Sequence, residues 1–508
     1  MTRLKTLVGI AIPAVLLSCF VGTAAAADSV WWGNYTGDKI SFARLDGSGG
    51  GDLATPGTAP DGPEGVAIDA AAGRIYWLDY ILDRIAFANL DGSGGGAQVS
   101  TAGATISGGW GLAIHPAAGK IYWGNSGKPT VGFANLDGSG GANLNTSGTT
   151  VDTHTEGVAV DPVGGRVYFA TNSKISFANI DGSGGAGNLD TTGAAVSQPQ
   201  GVAVDRTGGR VYWANSGTDS ISFANLDGTG AGGNLNTAGA TLLDPTGVAV
   251  DPEGGTVYWG NTTGKISFAK LDGSGGGDLN IAGASAGEAS FPVLLKAPRG
   301  TGAPVVGGGG RIGSTLSCSP GAWAPDLTES FLYRAVQDLA TQWTLNGSDI
   351  AGATGSTHVA TETGDYRCRI TASNAAGSTS QTSAAHAVAQ AAFGARTLVT
   401  LRLAARRIPA RGPIPVRVVN RNDFAITGGL AGHTVTRVVA RRFRVRLKRK
   451  ALRVPANAKR AVKLALPRRL RPLLERNGGL SLRLAARVHD PARNTRTVTR
   501  RVSLKLRG

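Results

Sequence analysis

The chain has 508 residues, of which 77 are glycine and only 17% are charged, so a coiled coil is excluded and an all-helical bundle is disfavoured. A hydrophobic share of 41% is enough to build folded cores, which excludes a wholly disordered chain. The net charge of +17 is unevenly distributed. From Ala391 onward there are 31 Lys and Arg against 3 Asp and Glu, whereas the rest of the chain is acidic. Partners must therefore be considered region by region.

Residues 1–27 have the pattern of a secretory signal peptide. Two basic residues precede an apolar run from Leu7 to Gly22, and small residues lead to a cleavage site after Ala27. In a second interpretation, the Val-Leu-Leu-Ser run before Cys19 is a lipoprotein signal, and lipid is attached to that cysteine. No other stretch is long and apolar enough to be a transmembrane helix. The sequence thus predicts a protein that is secreted or associated with the cell envelope.

The cysteine count predicts one disulfide. Besides Cys19 the chain has only Cys318 and Cys368. An even pair of cysteines in an exported protein is typical of a disulfide. A metal site built from these two residues is disfavoured, because no histidines lie near them with metal-ligand spacing.

A repeat of about 45 residues occupies the first half of the chain. A complete copy contains a Gly-Val-Ala or Gly-Leu-Ala element, an aromatic pair such as Tyr212-Trp213, and a Leu/Ile-Asp-Gly element. Short alternating runs separated by glycine turns indicate strands, and this period is the length of a four-stranded propeller blade. The aspartate of the last element recurs at spacings of 44 to 46 residues, at Asp46, Asp91, Asp137, Asp181, Asp227 and Asp272.

The ends of the array predict a closed ring. The Gly-Val-Ala element occurs only five times, and its missing first copy would lie inside the signal segment. Forty-five residues after Gly247 comes Pro292, in the apolar run Phe291–Leu295. We therefore expect this run to supply the missing inner strand of the first sheet, with Val293 and Leu294 beside Trp31. Such closure removes an exposed sheet edge.

Each repeated element has a predicted place in this ring. Small residues of the inner strand allow six sheets to approach the axis, and the aromatic residues, such as Trp213 and Phe223, fill the wider space farther out. The Asp-Gly pair fits a tight turn in which glycine has a positive φ.

These repeats resemble the low-density-lipoprotein-receptor class B (YWTD) family. The matching stretches in one repeat are 65–69 (Gly-Val-Ala-Ile-Asp), 73–79 (Gly-Arg-Ile-Tyr-Trp-Leu-Asp) and 88–94 (Ala-Asn-Leu-Asp-Gly-Ser-Gly). The resemblance implies a six-bladed β-propeller that binds other proteins and is not an enzyme. The aspartate of the family motif is present only at Asp79. Asparagine, which still accepts hydrogen bonds, replaces it at Asn34, Asn125, Asn215 and Asn261.

A Gly/Pro-rich linker follows the repeats, and residues 299–390 have the features of an immunoglobulin-like sandwich. Two cysteines lie 50 residues apart with Trp343 between them, and Tyr366 lies two residues before the second cysteine. In such modules the disulfide joins two sheets against the tryptophan, and the tyrosine forms a corner. The stretch resembles immunoglobulin-like modules of bacterial surface proteins.

The basic segment, residues 391–508, is predicted to be a small β-sandwich with a cationic face. Leu480, Leu482 and Leu484 alternate with polar residues, residues 467–475 fit one short helix, and residues 490–494 fit a turn. An anionic envelope polymer or phospholipid surface is the predicted partner. Nucleic acid is disfavoured by the export signal and by the scarcity of aromatic residues for base stacking.

The predicted fold class is therefore all-β: a six-bladed propeller at residues 28–298, then the immunoglobulin-like module, then the basic β-domain. If the ring is closed, the residues just before each inner-strand glycine gather at one channel mouth, and these form the candidate binding site: Glu64, Trp110, Glu156, Gln200 and Thr246.

We predict that this mouth recognises an extracellular protein or glycan, without catalysis and without a cofactor. The alternative is a metal-dependent hydrolase of the gluconolactonase type, in which Glu64, Asn125 and Glu156 supply oxygen ligands to a divalent metal near His154. The sequence favours binding over catalysis, because the alternative depends on fold analogy and on the two glutamates alone.

Overall fold

A computed structural model describes residues 27–149, 153–285, 287–435 and 444–507, and these are predominantly β-strands. The predicted signal segment up to Ala26, including Cys19, lies outside the described residues. Within the described part, no helix is long and apolar enough to cross a membrane.

The chain divides into two compact units. One contains the residues up to Pro304 together with Pro320–Thr341 and Arg369–Thr382. The other contains Val305–Ser319, Gln342–Cys368 and the residues from Ser383 onward. The domain boundaries expected from the sequence, at 298/299 and 390/391, remain predictions.

In the first unit, successive repeats form antiparallel sheets whose strands follow one another in chain order. Alternating Val, Ile and aromatic residues form the longer strands, and Gly-rich turns end them. The strands are β1 (Ser29–Asn34), β2 (Lys39–Arg44), β3 (Gly50–Asp52), β4 (Pro63–Asp69), β5 (Arg74–Asp79), β6 (Arg84–Asn89), β7 (Ala97–Val99), β8 (Gly109–His115), β9 (Lys120–Asn125), β10 (Val131–Asn135), β11 (Ala142–Asn143), β12 (Thr155–Asp161), β13 (Arg166–Thr171), β14 (Ile175–Asn179), β15 (Gly187–Asn188), β16 (Pro199–Asp205), β17 (Arg210–Asn215), β18 (Ser220–Asn225), β19 (Gly233–Asn234), β20 (Pro245–Asp251), β21 (Thr256–Asn261), β22 (Ile266–Lys270), β23 (Gly276–Asp278) and β24 (Ala289–Leu295).

The first sheet is completed by the last strand of this array. Strand β24 pairs antiparallel with β1, so that Val293 lies opposite Trp31 and Leu294 lies opposite Val30. The predicted pairing of this run with the first sheet is confirmed. Five sheets thus have four strands each, β4–β7 through β20–β23, and the sixth joins strands from both ends of the array.

One strand of each sheet lies nearest the axis, and these inner strands pack against one another in a closed cycle. Strand β4 contacts β8, β8 contacts β12, β12 contacts β16, β16 contacts β20, β20 contacts β24, and β24 returns to β4. Small residues permit this approach. A methyl group added at Gly157 would lie 2.6 Å from the Cα of Gly201, and one added at Gly201 would lie 2.5 Å from the Cα of Gly247. The role predicted for these inner-strand glycines is confirmed.

The aromatic residues form the core of each sheet farther from the axis. The tryptophans of the aromatic pairs, Trp77, Trp123, Trp213 and Trp259, have no exposed surface. The phenylalanine of the third strand is partly buried and makes a tilted ring contact with the tyrosine of the second, as Phe223 does with Tyr212 at 5.9 Å between ring centroids. The Asp-Gly turns also form as expected, because Gly47 has a φ of 77° and Gly228 a φ of 73°, both in the left-handed region.

A short segment from later in the chain packs against the ring where the inner strands end. Strand β29 (Leu332–Tyr333) runs parallel to β24 and follows the 3-10 helix Thr328–Ser330. The backbone N–H of Leu294 donates to the carbonyl of Phe331 at 2.8 Å, and the Ser330 hydroxyl donates to the carbonyl of Val204 at 2.5 Å. The segment therefore covers one end of the ring.

The predicted disulfide between Cys318 and Cys368 is present. Trp343 and Tyr366 lie with Cys368 in one buried cluster, and the Tyr366 hydroxyl donates to the carbonyl of Glu362 at 3.3 Å. The strands between the ring and the basic segment are β25 (Gly300–Gly302), β26 (Val306–Gly308), β27 (Thr315–Cys318), β28 (Ala322–Trp323), β29 (above), β30 (Asp338–Leu345), β31 (Ser348–Asp349), β32 (Thr357–Val359), β33 (Gly364–Asn374), β34 (Gly377–Thr382) and β35 (His386–Val388).

The basic segment forms two sheets around a shared apolar core. Leu482 and Leu484 lie in this core. The helix expected at residues 467–475 forms instead as a 3-10 turn at Arg468–Leu470 followed by an α-helix at Arg471–Asn477, which ends at Gly478. One sheet has the order β36-β38-β41 and the other β37-β43-β42-β39-β40. Their strands are β36 (Val399–Leu403), β37 (Arg407–Ile408), β38 (Ile414–Asn420), β39 (Ile426–Thr434), β40 (Arg446–Val454), β41 (Lys459–Leu464), β42 (Gly479–His489) and β43 (Thr495–Leu506).

Candidate functional site

The second residue of each inner strand lies at the face of the ring where these strands begin. We call this face the channel mouth. The sequence-predicted residues occupy equivalent positions there: Glu64 in β4, Trp110 in β8, Glu156 in β12, Gln200 in β16 and Thr246 in β20.

The sixth position of the channel mouth belongs to Ser290, which the sequence analysis missed. Its strand carries Phe291 where the other five carry glycine, so the predicted alignment on Pro292 is wrong by one residue. A methyl group added at Gly247 would lie 2.5 Å from the Cα of Phe291, just as one added at Gly201 would contact Gly247. The spacing from Thr246 to Ser290 equals that from Glu156 to Gln200, and this was the available signal.

The ring of Phe291 fills the hub that the glycines leave open. Its side chain lies 3.1 Å from a methyl group built on Gly111 and 2.9 Å from one built on Gly157. Phe291 is only 8% exposed, and it makes an edge-to-face contact with Trp110 at 6.3 Å between centroids. The aromatic ring of Phe291 therefore closes the hub beside Trp110.

Three polar atoms at the channel mouth are buried without a hydrogen-bond partner among the described residues: Glu64 Oε2, Trp110 Nε1 and Glu156 Oε2. The residues Glu64 and Glu156 are only 3% and 7% exposed. A buried polar atom without a partner costs about 1–3 kcal/mol, so a cluster of three is a feature that calls for a ligand or water.

Burial raises the pKa of both glutamates. The pKa of Glu64 rises to about 8, although a hydrogen bond with Ser290 opposes the shift, and the charges of Glu288 and Glu156 raise it further. Burial raises the pKa of Glu156 to about 7. Its Oε1 lies 3.1 Å from Nε2 of His154. Near neutral pH, protons on these carboxyls therefore make the mouth a donor as well as an acceptor of hydrogen bonds.

These raised pKa values predict that the protein loses stability as the pH rises from about 5 to 8. An unfolded glutamate has an ordinary pKa of 4.5 and is mostly ionised throughout this range, whereas folded Glu64 keeps its proton until about pH 8. Unfolding is therefore increasingly favoured as the pH rises. Glu64→Gln, which is always neutral, should weaken this dependence. Denaturant midpoints at pH 5 and pH 8 measure it.

The exposed Glu362→Gln serves as the control for this prediction, because its side chain lies outside the mouth. It should keep the wild-type pH dependence. Equal wild-type midpoints at the two pH values, or an undiminished difference in Glu64→Gln, would contradict the burial of Glu64 as a neutral acid.

Aromatic and aliphatic residues extend from the hub to the rim of the mouth. Tyr35 contacts Tyr80 at 6.0 Å, and Tyr80 contacts Trp110 at 5.6 Å, both edge to face. The turn after Tyr80 leaves Ile81 56% and Leu82 45% exposed. Aromatic residues flanked by exposed aliphatic ones are typical of the centre of a protein interface.

The other two predicted mouth residues already have polar partners. Thr246 is buried and donates its hydroxyl hydrogen to the carbonyl of Ala289 at 2.9 Å. Gln200 is half-buried and donates from Nε2 to the hydroxyl of Ser216 at 3.2 Å. The side-chain polar groups of Thr246 and Gln200 thus have hydrogen-bond partners within the ring. On the side formed by Glu64, Trp110 and Glu156, one polar atom of each residue has none among the described residues.

Asn125 does not join the two glutamates as a metal ligand. Its Oδ1 accepts from the backbone N–H of Ser107 at 2.9 Å, and its Nδ2 donates to the carbonyl of Thr130 at 2.9 Å. Asp79, Asn215 and Asn261 likewise accept from a backbone N–H 18 residues earlier in the chain. These side chains hold the connection between sheets, and asparagine and aspartate do so in the same way.

The side-chain oxygens of Glu64, Asn125 and Glu156 therefore do not form a ligand set for a divalent metal. Among the described residues, no group of three or more His, Cys, Asp or Glu side chains is placed to hold a metal ion. The polar groups at the mouth are the carboxyls of Glu64 and Glu156 and the indole N–H of Trp110, and the ring of Phe291 lies next to them.

No family model matches the chain, and no curated protein matches it. The solved structures to which it is similar include a nidogen/laminin complex, at 18% identity over 53% of this chain and 97% of that chain, with a TM-score of 0.43. Hydrazine synthase of Kuenenia stuttgartiensis is 14% identical over 51% of this chain and 80% of that one, with a TM-score of 0.38.

A protein from Bacteroides uniformis ATCC 8492, named as a candidate 6-phosphogluconolactonase, is 14% identical over 49% of this chain and 80% of that one, with a TM-score of 0.35. All of these TM-scores are below 0.5.

Proposed function

We propose that the chain is an exported binding protein, in which the six sheets are the blades of a six-bladed β-propeller and the channel mouth docks an extracellular partner. The closed cycle of inner strands and the pairing of β24 with β1 support six blades. The single observation that carries the binding role is the cluster of unpartnered buried atoms on Glu64, Trp110 and Glu156.

A protein partner fits the mouth better than a glycan does. Ile81 and Leu82 are exposed aliphatic residues beside the aromatic series that leads to Phe291. Burying such side chains favours association with an apolar surface, whereas a glycan presents mainly hydroxyl groups. A partner that covers the channel mouth can bond the three polar atoms and bury these aliphatic residues at the same time.

The rest of the chain supports export and display. A disulfide is typical of an oxidising compartment, and we propose that residues 299–390 are an immunoglobulin-like module in the same chain as the propeller. Secretion or attachment to the cell envelope is part of the same proposal.

The experiment compares capture of partners from an envelope extract by the full chain and by two variants. Ile81→Ser combined with Trp110→Ala removes the apolar contacts of the mouth, and Val163→Ser removes an even more exposed aliphatic residue from the turn at the opposite end of a blade. The dissociation constant for the captured protein should rise about tenfold or more for the mouth variant only. Loss with Val163→Ser as well, or with neither variant, would contradict the mouth as the docking site.

The metal-dependent hydrolase is the weaker proposal, because Asn125 is bonded elsewhere and the remaining oxygens belong to buried acids. Calorimetric titration with Ca²⁺ separates the two. Binding without catalysis predicts no heat from the mouth. Heat that disappears in the Glu64→Gln and Glu156→Gln double variant would favour the hydrolase instead.

A further inference from the structure

A surface cleft in the basic segment is lined by positive charges from two distant stretches of the chain, residues 402–406 and 500–505. It has a volume of about 550 Å³ and lies between β36 and β43. Its charged lining residues are all basic: Arg402, Arg406, Arg500, Arg501 and Lys505. All five are exposed, so they can reach a ligand in the cleft.

No described carboxylate neutralises these five side chains. The segment from residue 391 onward contains only three acidic residues. Asp423 pairs with Arg311, Asp490 accepts from the backbone of Phe393 and Asn494, and Glu475 lies in the short helix. Five like charges around one cleft repel one another, and a multiply charged anion would relieve that repulsion.

The positive potential extends from the cleft across the neighbouring strands. Arg501 lies directly opposite Arg483, which lies opposite His433, which in turn lies opposite Arg446. Burial lowers the pKa of His433, and the charges of Arg444, Arg483 and Arg446 lower it further, as expected beside uncompensated cations. A ligand with several regularly spaced charges would therefore gain contacts beyond the cleft.

The chemistry of the lining favours phosphate over carboxylate. Four of the five cations are guanidinium groups, whose planar N–H donors bind phosphate oxygens in pairs. Lysine adds a compact charge that also suits phosphate.

We propose that the cleft between β36 and β43 is a binding site for phosphate groups, and that these groups are carried on an anionic polymer. It is independent of the channel mouth and of the partner proposed there. Neither bond formation nor cleavage is involved.

The test measures binding of three probes to the full chain: long-chain polyphosphate, polygalacturonate as a carboxylate polymer, and phosphatidylglycerol vesicles. The cleft variant is Arg406→Gln with Arg500→Gln. The matched control is Arg469→Gln with Arg496→Gln, which removes the same charge from exposed positions outside the cleft lining. All substituted side chains are exposed, and circular dichroism verifies that each variant folds.

The cleft variant should raise the dissociation constant for polyphosphate at least tenfold more than the control does, at the same salt concentration. Vesicle binding with the same sensitivity, and no binding of polyphosphate, would identify a lipid headgroup as the source of the phosphate and overturn the polymer. Equal losses in the two variants would show that binding follows net charge alone and would overturn the site. Equally tight binding of polygalacturonate would overturn the preference for phosphate.

Discussion

Replacing Trp213 by alanine is expected to lower the free energy of unfolding by about 3–5 kcal/mol. The side chain has no exposed surface, and its Nε1 donates to the carbonyl of Ala195 at 2.9 Å, which ties the connection between two sheets to the core. Alanine would remove the contacts and leave that carbonyl without its partner. Denaturant unfolding followed by far-ultraviolet circular dichroism measures the loss.

Phe223→Ala is the control for this prediction. Phe223 belongs to the same sheet but is only partly buried, and the guanidinium of Arg210 lies 4.2 Å from its ring centre. Its truncation should cost clearly less than that of Trp213. Similar losses at both positions would contradict the assignment of the tryptophans as the core of each sheet.

Substitution of the axial Gly157 by alanine is expected to destabilise the protein by about 3 kcal/mol or more, at the upper end of overpacking effects. The added methyl would lie 2.6 Å from the Cα of Gly201 and 2.7 Å from the carbonyl oxygen of Gln200. Both are backbone atoms of the next inner strand. That strand cannot move away, because it packs against the following strand in the same manner.

Gly394→Ala provides the comparison, since a methyl group there would meet no atom within 4 Å and its φ is not in the left-handed region. Its effect should stay within about 0.5 kcal/mol. If Gly157→Ala were equally mild when both are compared by denaturant unfolding, the inner strands would not be in contact around a common axis.

The repeats made most of the ring predictable, because each copy obeys the same packing constraints. Glycine is required wherever two neighbouring inner strands approach each other. An Asp-Gly pair is required wherever a tight turn follows the third strand of a sheet. The pairing of β24 with β1 followed from the count of the Gly-Val-Ala elements. The disulfide between Cys318 and Cys368 followed from the cysteine count.

Features that depend on a single non-repeated contact were not predictable. Phe291 replaces the sixth glycine, so the pattern that located the other mouth residues did not locate Ser290. The packing of Phe331 and Tyr333 against the end of the ring leaves no periodic signal. The basic cleft joins Arg402 to Arg501, and only the pairing of distant strands brings these residues together.

Asn125 shows why residue type alone misleads at a site. Its amide oxygen was a reasonable metal ligand by composition, but the acceptor is used by the backbone of Ser107. Which hydrogen-bond partner a side chain meets depends on the register of neighbouring strands, which the residue type does not reveal.

A disulfide engineered between β1 and β24 tests the closed ring most directly. The N–H of Leu294 donates to Phe331, away from β1, so Leu294 and Val30 form a non-hydrogen-bonded pair. The Cα atoms of such a pair lie about 4.5 Å apart, within the range of a disulfide. Val30→Cys with Leu294→Cys should therefore give a cross-linked peptide joining residues 30 and 294 in a non-reduced digest. Absence of that peptide, or an equal yield from Val30→Cys with Val202→Cys in β16, would contradict a ring closed by these two strands.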